Sequence, residues 1–242
     1  MQAILTGHSR GLGAALAAEL LGRGIPLLGL ARQGNPALAA AYPGRLSEAA
    51  LDLADDAALR AWLDSQQLGD FLAADDGPLL LINNAGVLGP MAALDAQAPG
   101  EIAAAIAINV SAPLLFSAAL ARRHAGELRI LHISSGAARH PYPGWSIYGA
   151  SKAALDHHAR CVAADGRAKL RICALAPGVI DTDMQTRIRA SAEADFPLKD
   201  KFVALKAEGR LSTPQGAARA VVDYLLSEKF GSQPVADLRE LG

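Results

Sequence analysis

The chain has 242 residues, of which 51% are hydrophobic and 19% are charged, and its formal net charge at pH 7 is −1. This composition excludes a disordered chain and gives no support for a nucleic acid or an anionic membrane surface as partner. The length suits one large α/β domain with a sizeable core. The N-terminus lacks a basic signal region and no apolar run approaches the ~20 residues that span a bilayer, so we expect a cytoplasmic protein.

Strands and helices alternate along the chain, which predicts a parallel sheet covered by helices. Predicted strands cover residues 2–6, 26–31, 46–53, 79–82, 128–133 and 170–176, with a short edge strand at 235–237. Predicted helices cover residues 12–22, 55–68, 99–121, 148–165 and 214–228. Residues 183–209 form a long irregular insertion of the kind that serves as a lid or binding loop.

The first strand leads into a turn that contains Gly7, Gly11 and Gly13, and a helix follows at once. Such a junction lets the backbone approach a phosphate, which the free N–H groups of the helix N-terminus attract. The spacing differs from the Gly-x-Gly-x-x-Gly dinucleotide motif. Residues 7–11 also fit the nucleophile elbow of hydrolases, with Ser9 as nucleophile. Against that alternative, no strand and loop precede Ser9 to supply an oxyanion hole, and no histidine follows His158.

A positive charge follows the second strand. In dinucleotide-binding domains an arginine near this point accommodates the 2′-phosphate of NADP. Arg32 stands there, and Arg10 lies in the glycine turn. Alone, Arg32 reads as an ordinary surface arginine, but the two cations together favour NADP(H) over NAD(H).

Polar residues also follow later strands. Asp52 is placed either to cap the next helix or to bind a ligand. Residues 83–86, Asn-Asn-Ala-Gly, shape the backbone and leave room for a flat ligand. Asn109 interrupts an apolar helix, which indicates either a structural hydrogen bond to a neighbouring strand or a functional kink. The cysteines Cys161 and Cys173 and the adjacent pair at 157–158 lack metal-ligand spacing, so no metal site is predicted.

The fifth strand is followed by a turn region and a helix that begins near Tyr148. Lys152 comes four residues after Tyr148, so both lie on one helical face. An ammonium near a phenol favours the phenolate and lowers its pKa. With a hydroxyl such as Ser135 beside them, these groups could hand a proton to a carbonyl oxygen. A surface tyrosine and lysine on an alanine-rich helix is the plain alternative.

Together these motifs resemble the short-chain dehydrogenase/reductase family over essentially the whole chain. The resemblance rests on Thr6-Gly7-x-x-x-Gly11-x-Gly13, Asp52-Leu53, Asn83-Asn84-Ala85-Gly86, Asn109, Ser135, Tyr148-x-x-x-Lys152 and Pro177-Gly178-x-x-x-Thr182. Residues 181–185, 205–209 and 230–237 are similar to the sepiapterin reductase and benzil reductase branch. The resemblance implies a single-domain, doubly wound Rossmann-type fold with a mostly parallel central sheet over residues 1–242.

The resemblance also implies roles for the catalytic residues. Tyr148 donates the proton, Lys152 lowers its pKa and holds the nicotinamide ribose, and Ser135 binds the substrate oxygen. Ser135 is preferred to Ser134 because its distance from Tyr148 along the chain fits the family. Asn109 supports a water that relays protons to Lys152.

The remaining implied roles concern the ligands. The cofactor contacts are Gly7, Ser9, Arg10, Gly11, Leu12, Gly13, Arg32, Asp52, Leu53, Asn84, Ala85, Gly86, Tyr148, Lys152, Pro177, Gly178, Val179, Ile180 and Thr182. Trp145, Met184 and Asp237 join Ser135 as expected substrate contacts. Asp237 matches a carboxylate that anchors the pterin in sepiapterin reductases, but benzil-type enzymes reduce vicinal diketones, so it need not bind a pterin here.

We therefore predict an NADPH-dependent carbonyl reductase that acts on a ketone or vicinal dicarbonyl. The alternatives within the family are a 3-oxoacyl reductase and an alcohol dehydrogenase. Outside this chemistry stand a non-catalytic dinucleotide sensor and a hydrolase acting through Ser9. The resemblance implies a homodimer or homotetramer formed by the helices that carry Asn109 and Tyr148, with Ala150, Ala153, Ala154 and Ala159 allowing close packing.

Overall fold

The protein is built on a sheet of seven parallel strands, and the computed structural model describes residues 1–241. The strands are β1 (Gln2–Thr6), β2 (Leu27–Ala31), β3 (Leu46–Ala50), β4 (Leu79–Asn83), β5 (Leu128–Ile133), β6 (Leu170–Ala176) and β7 (Val235–Asp237). Their order is β3-β2-β1-β4-β5-β6-β7. Every neighbouring pair is parallel, whereas the sequence predicted a sheet that is mostly parallel. The sheet therefore winds outward in both directions from the crevice between β1 and β4, where such folds bind ligands.

Helices cover both faces of this sheet. They are α1 (Gly11–Gly22), α2 (Pro36–Ala41), α3 (Asp56–Leu63), α4 (Gln66–Ala73), α5 (Pro99–Ile106), α6 (Ala112–Arg123), α7 (Ser146–Ala164), α8 (Asp183–Arg189), α9 (Lys199–Ala207) and α10 (Pro214–Leu226). Helices α1 and α10 bury one apolar layer against the sheet, and α3, α6 and α7 bury the other. This is the doubly wound Rossmann-type fold that the sequence predicted.

Two predicted boundaries are wrong near β3. The strand ends at Ala50, so Asp52 lies in the following turn, where its Oδ1 accepts the Ala54 N–H at 3.0 Å. The predicted helix 55–68 is two helices, because Ser65 caps a new one by accepting the Leu68 N–H. Asp55, and not Asp52, caps α3.

The predicted helix 99–121 is also interrupted. A π-helical turn, Ala107–Ser111, separates α5 from α6. The segment Pro99–Arg123 has 25 residues and contains an 18-residue stretch with a mean hydropathy of 1.9, so by length and composition it could cross a membrane. The expectation that no such run exists is therefore wrong. Here Phe116 and Leu120 of that segment are fully buried in the layer against the sheet, as in a core helix.

The insertion at residues 183–209 is not irregular. It forms α8 and α9, and its apolar residues Ile188, Phe196 and Phe202 are buried against Trp145 and Tyr148. Aromatic side chains of this size bury enough area to fix a short segment that has weak helical propensity. One further expectation fails on α7, because Ala159 is fully buried in the chain's own core and cannot face another subunit.

Candidate active site

The glycine turn between β1 and α1 is shaped for a close approach of the backbone. Gly7 and Gly11 have φ angles of 72° and 55°, which glycine adopts without strain. A Cβ at Gly13 would overlap the Gly7 carbonyl and lie 2.6 Å from Asn84 Nδ2. The N-cap residue of α1 is Arg10, and its side chain does not cap the helix. The first N–H groups of α1 therefore have no capping partner. This arrangement fits a pyrophosphate.

Asn84 fastens this turn to the end of β4. Its Nδ2 donates to Thr6 O at 3.0 Å and Gly7 O at 3.3 Å. Thr6 Oγ1 in return accepts the backbone N–H groups of Asn84 and Ala85, both at 3.0 Å. The Asn84 amide thus supports the turn from behind, and Thr6, which the sequence predictions gave no role, is its partner. Thr6 is the last residue of the predicted strand and of β1, and a hydroxyl at that position gives no local signal of this function.

Tyr148, Ser135 and Lys152 lie together at the carboxyl end of β5. Tyr148 and Lys152 come from the first turns of α7, and Ser135 comes from the turn that follows β5. Tyr148 is 7% exposed and Lys152 is 4% exposed. Lys152 Nζ donates to Ile133 O at 2.8 Å and lies 5.7 Å from the centre of the Tyr148 ring. The pair is therefore buried and is not the surface pair that the plain alternative described.

Burial sets the proton affinities of these groups. It raises the pKa of Tyr148, and a hydrogen bond with Ser135 opposes that rise. Burial also lowers the pKa of Lys152 to about 8, while the negative charge of Asp156 opposes the change. The sequence predicted that Lys152 lowers the Tyr148 pKa, but in the chain itself desolvation dominates and the pKa is raised. Helical spacing reveals which groups are adjacent but not how much water they lose.

Asn109 is fully buried within the π turn. Its Oδ1 accepts the Val87 N–H at 2.9 Å, and its Nδ2 donates to Val87 O at 2.8 Å and to Ser151 Oγ at 3.1 Å. A structural hydrogen bond and a helix irregularity therefore occur together, but the partners are Val87 in the loop after β4 and Ser151 on α7 rather than a neighbouring strand. A Cβ at Gly86 would lie 3.4 Å from both Asn109 Oδ1 and Lys152 Nζ, so this glycine leaves space beside the two.

The end of the crevice where the sequence predicted the adenosine carries two exposed arginines. Arg10 and Arg32 follow β1 and β2, which are neighbours in the sheet. Neither forms an ion pair within residues 1–241. Leu53 is buried, whereas Asp52 is exposed beside it.

The loop after β6 reaches back to the glycine turn. It contains Pro177, Gly178, Val179, Ile180 and Thr182, and Ile180 forms a parallel bridge with Ser212. A Cβ at Gly11 would lie 3.5 Å from Thr182 Cγ2. The predicted pyrophosphate and carboxamide segments therefore face each other across the crevice.

Aromatic rings form a wall beside Tyr148. Trp145 stacks on Phe196 with ring centres 4.6 Å apart and meets Tyr148 edge-on at 5.5 Å. Met184 packs against this cluster from α8. Asp237 lies instead on the edge strand β7, is 4% exposed, and pairs through both oxygens with Arg239 at 2.7–2.8 Å.

The hydrolase motif does not assemble. Asn35 Nδ2 donates to Ser9 O, and the adjacent His8 is fully buried with Nε2 2.6 Å from Glu48 Oε1. Within residues 1–241 no histidine hydrogen-bonds to the Ser9 hydroxyl, which a triad nucleophile requires.

Comparisons with known proteins agree with this geometry. A family model described as short chain dehydrogenase matches residues 1–193. The benzil reductase ((S)-benzoin forming) of Bacillus cereus is 34% identical over 248 residues, covering 98% of each chain. The sepiapterin reductase of Meriones unguiculatus is 34% identical over 247 residues, covering 95% of this chain and 92% of that protein.

Solved structures give the same result. A short-chain dehydrogenase/reductase from Burkholderia vietnamiensis has 46% identity and a TM-score of 0.72, covering 100% of this chain and 98% of its own. A short chain dehydrogenase from Burkholderia cenocepacia, in complex with NADP, has 29% identity and a TM-score of 0.79, covering 97% and 94%.

The fold and the site define a nucleotide-dependent oxidoreductase. The chain belongs to the short-chain dehydrogenase/reductase family and, within it, resembles the benzil and sepiapterin reductases. It is accordingly an enzyme that acts on carbonyl or alcohol groups with an NAD(P) cofactor. The family and branch predicted from the sequence are confirmed.

Proposed function

We propose that the chain is an NADPH-dependent carbonyl reductase in which Tyr148 gives a proton to the substrate oxygen. The observation that carries the proposal is the group formed by the half-buried Ser135 and the buried Tyr148 and Lys152, at the same edge of the sheet as the glycine turn. The cofactor supplies the hydride, so the protein has to bind, orient and move one proton. We also propose that residues 1–242 act as one catalytic domain, with 183–209 covering the substrate.

The residues divide the proton transfer among them. The hydroxyls of Ser135 and Tyr148 hold the carbonyl oxygen, and Tyr148 transfers its proton as negative charge develops there. The ammonium of Lys152 stabilises the resulting phenolate, and Asn109 fixes the π turn beside it. Because the side chain of Asn109 is already occupied by Val87 and Ser151, any proton relay past it uses the space at Gly86.

The cofactor preference rests on charge. Arg10 and Arg32 are exposed cations at the ends of neighbouring strands, placed to hold a 2′-phosphate, and a related protein of known structure was solved with NADP. Hydrogen bonds to charged groups contribute roughly 1.5–3 kcal/mol. Arg32→Ala should therefore raise the KM for NADPH about 10- to 100-fold and leave that for NADH unchanged.

A matched control is Arg45→Ala. It removes an exposed arginine just before β3, where the strands begin, whereas Arg32 lies where β2 ends. It should alter neither KM. Equal affinity for NADPH and NADH in the unmodified enzyme, with no effect of Arg32→Ala, would contradict the NADP assignment.

The aromatic wall favours a substrate with flat apolar groups beside the carbonyl. Trp145, Phe196 and Met184 would pack on such groups, and the benzil reductase relatives are named for a substrate of that type. The test is NADPH oxidation with an aryl vicinal diketone, a pterin, a 3-oxoacyl thioester and a simple ketone. Highest kcat/KM on the diketone supports the proposal. A preference for the thioester, for the pterin or for alcohol oxidation would assign another activity of the family instead. Turnover of none of these compounds would favour a non-catalytic dinucleotide sensor.

We further propose that the enzyme is a homodimer or homotetramer formed by α5–α7. Ala150 is exposed on α7, and Ala153 and Ala154 are half-buried, so this face has room for a close partner helix. Sedimentation equilibrium should give a multiple of 25.0 kDa. A monomer at micromolar concentration would rule the assembly out.

A further inference from the structure

Helix α7 carries a third ionisable group in line with Tyr148 and Lys152. Asp156 follows Lys152 by one helical turn, as Lys152 follows Tyr148. Its side chain is almost wholly buried, at 2% exposure. Charged carboxylates are rarely buried unless their surroundings compensate for the lost water, so this position needs an explanation.

Asp156 is held by the segment that also carries Ser135. Ser134 Oγ donates to Asp156 Oδ1 at 2.5 Å. Arg139 Nε lies 3.6 Å from Oδ2, and Arg139 Nη2 donates to Ala236 O at 3.4 Å. Oδ2 has no hydrogen-bond partner within residues 1–241. The carboxylate therefore joins α7 to the turn after β5 and, through Arg139, to β7, but it is left partly unsatisfied.

The charged and titratable groups around Lys152 are few. On α7 they are Tyr148 and Asp156. Strand β5 contributes the fully buried His132, whose pKa burial lowers to about 3, so it stays neutral. The π turn contributes only the neutral amide of Asn109. Arg139 and Arg160 act on Asp156 itself. Asp156 is thus the negative charge that favours the ammonium form of Lys152 against its burial.

We propose that Asp156 is a positioning residue for the reduction, which keeps the neighbouring Lys152 in its ammonium form and, through Ser134, fixes the turn that presents Ser135. This inference rests on the proposed function. One buried carboxylate then supports both Lys152, which lies beside the proton donor Tyr148, and Ser135, whose hydroxyl binds the substrate.

The first test is an NMR titration of the protein with ¹⁵N-labelled lysine. The chain has six lysines, and Lys152→Arg identifies the signal of Lys152. Side chains one helical turn apart have Cβ atoms about 5–6 Å apart. An opposite charge about 4–6 Å away shifts a pKa by about 1–3 units, so Asp156→Asn should lower the titration midpoint of Lys152 by about one unit. Asp165→Asn, an exposed carboxylate at the end of the same helix, is the matched control and should leave the midpoint unchanged.

The second test is the pH profile of kcat for NADPH-linked reduction. Removal of a neighbouring negative charge makes the Tyr148–Lys152 pair lose its first proton more easily, whichever group releases it. The basic limb of the profile should therefore move to lower pH by about one unit in Asp156→Asn. Asp156→Glu retains the charge and should keep the limb in place, as should Ser134→Ala.

The outcomes separate the two proposals. An unmoved Lys152 midpoint, or a kcat lowered equally at all pH values with an unmoved limb, means that Asp156 has a merely structural role and overturns the inference. Unmodified enzyme that reduces no carbonyl while Lys152 still responds to Asp156→Asn contradicts the proposed function instead. Thermal unfolding of each variant confirms that it is folded before either measurement.

Discussion

Gly13 is the residue with the least room for change at the glycine turn. It needs glycine for space and not for an unusual φ, since an added Cβ would overlap the Gly7 carbonyl oxygen. The position also brings Asn84 Nδ2 within 2.6 Å of that Cβ. One methyl group there would therefore push apart the turn and the amide that supports it.

We predict that Gly13→Ala destabilises the protein by roughly 1–3 kcal/mol, the usual cost of overpacking, and abolishes measurable NADPH binding. Urea unfolding and quenching of tryptophan fluorescence by NADPH measure the two effects. Gly100→Ala is the control, because it makes the same change in the first turn of α5, where no atom of residues 1–241 outside that turn lies within 4 Å of the new Cβ. Unchanged stability and NADPH affinity in Gly13→Ala would contradict the steric overlap between a Cβ at this position and the Gly7 carbonyl.

Single residues were predictable from sequence where chemistry and spacing coincide. The spacing of Tyr148 and Lys152 predicted adjacent groups, and the glycines predicted a close backbone turn; the structure has both at one edge of the sheet. Thr6 and Asp156 were not predicted, because an ordinary threonine and aspartate gain their roles only from partners that folding brings together. The raised pKa of Tyr148 was missed for a related reason, since desolvation depends on the whole surrounding structure.

At the scale of elements, the π turn between α5 and α6 is the feature that links the helix to the site. Apolar periodicity predicts an unbroken helix across residues 99–121. The break depends on hydrogen bonds from Asn109 to Val87, which is 22 residues away, and to Ser151 on α7. Local patterns carry no information about such partners. The same limitation explains why the two helices of the 183–209 segment were predicted as an irregular loop.

Asn109→Ala should cost about 2–3 kcal/mol of unfolding free energy, because it leaves two half-buried backbone groups of Val87 without partners. Urea unfolding at pH 7 measures this loss. Ser117→Ala serves as control: its buried hydroxyl bonds only to Pro113 O on its own helix, so its removal should cost less than about 1 kcal/mol. Equal losses for the two variants would argue against a structural role for the Asn109 amide.

At the scale of the whole molecule, the sequence predicted the alternation of strands and helices and the edge where the site lies. Parallel strands have their carboxyl ends on one edge, so motifs that follow strands must meet there. The strand order was not predictable, since each buried strand presents a similar apolar run. Substrate preference was not predictable either, because the wall formed by Trp145 and Phe196 depends on how the 183–209 segment folds back.

A buried histidine couples the whole fold to pH. His132 bridges Asn83 and His158, with both contacts at 3.1 Å, and its pKa is about 3 because of burial and of repulsion from His158 and Lys152. An unfolded histidine titrates near 6.5. Between about pH 6.5 and 3 the unfolded chain thus binds a proton that the folded chain refuses, so stability falls as pH falls through this window.

The urea midpoint of the unmodified protein should therefore fall from pH 7 to pH 5, and less steeply in His132→Gln. The exposed neighbour of His158, His157, provides the control His157→Gln, which should keep the full slope. Equal slopes in all three proteins would show that His132 does not contribute to acid sensitivity.

The role of Tyr148 as proton donor is tested most directly by the rate at which Tyr148→Phe reduces an aryl vicinal diketone with NADPH. This change removes one oxygen atom from the buried group at the end of β5. Loss of a general acid typically costs 10²- to 10⁴-fold in rate, so kcat should fall by about that factor while NADPH still binds. Tyr224→Phe, which removes a buried hydroxyl from a contact with Cys173, should retain full activity. Full turnover by Tyr148→Phe would contradict the proton-donor role of Tyr148.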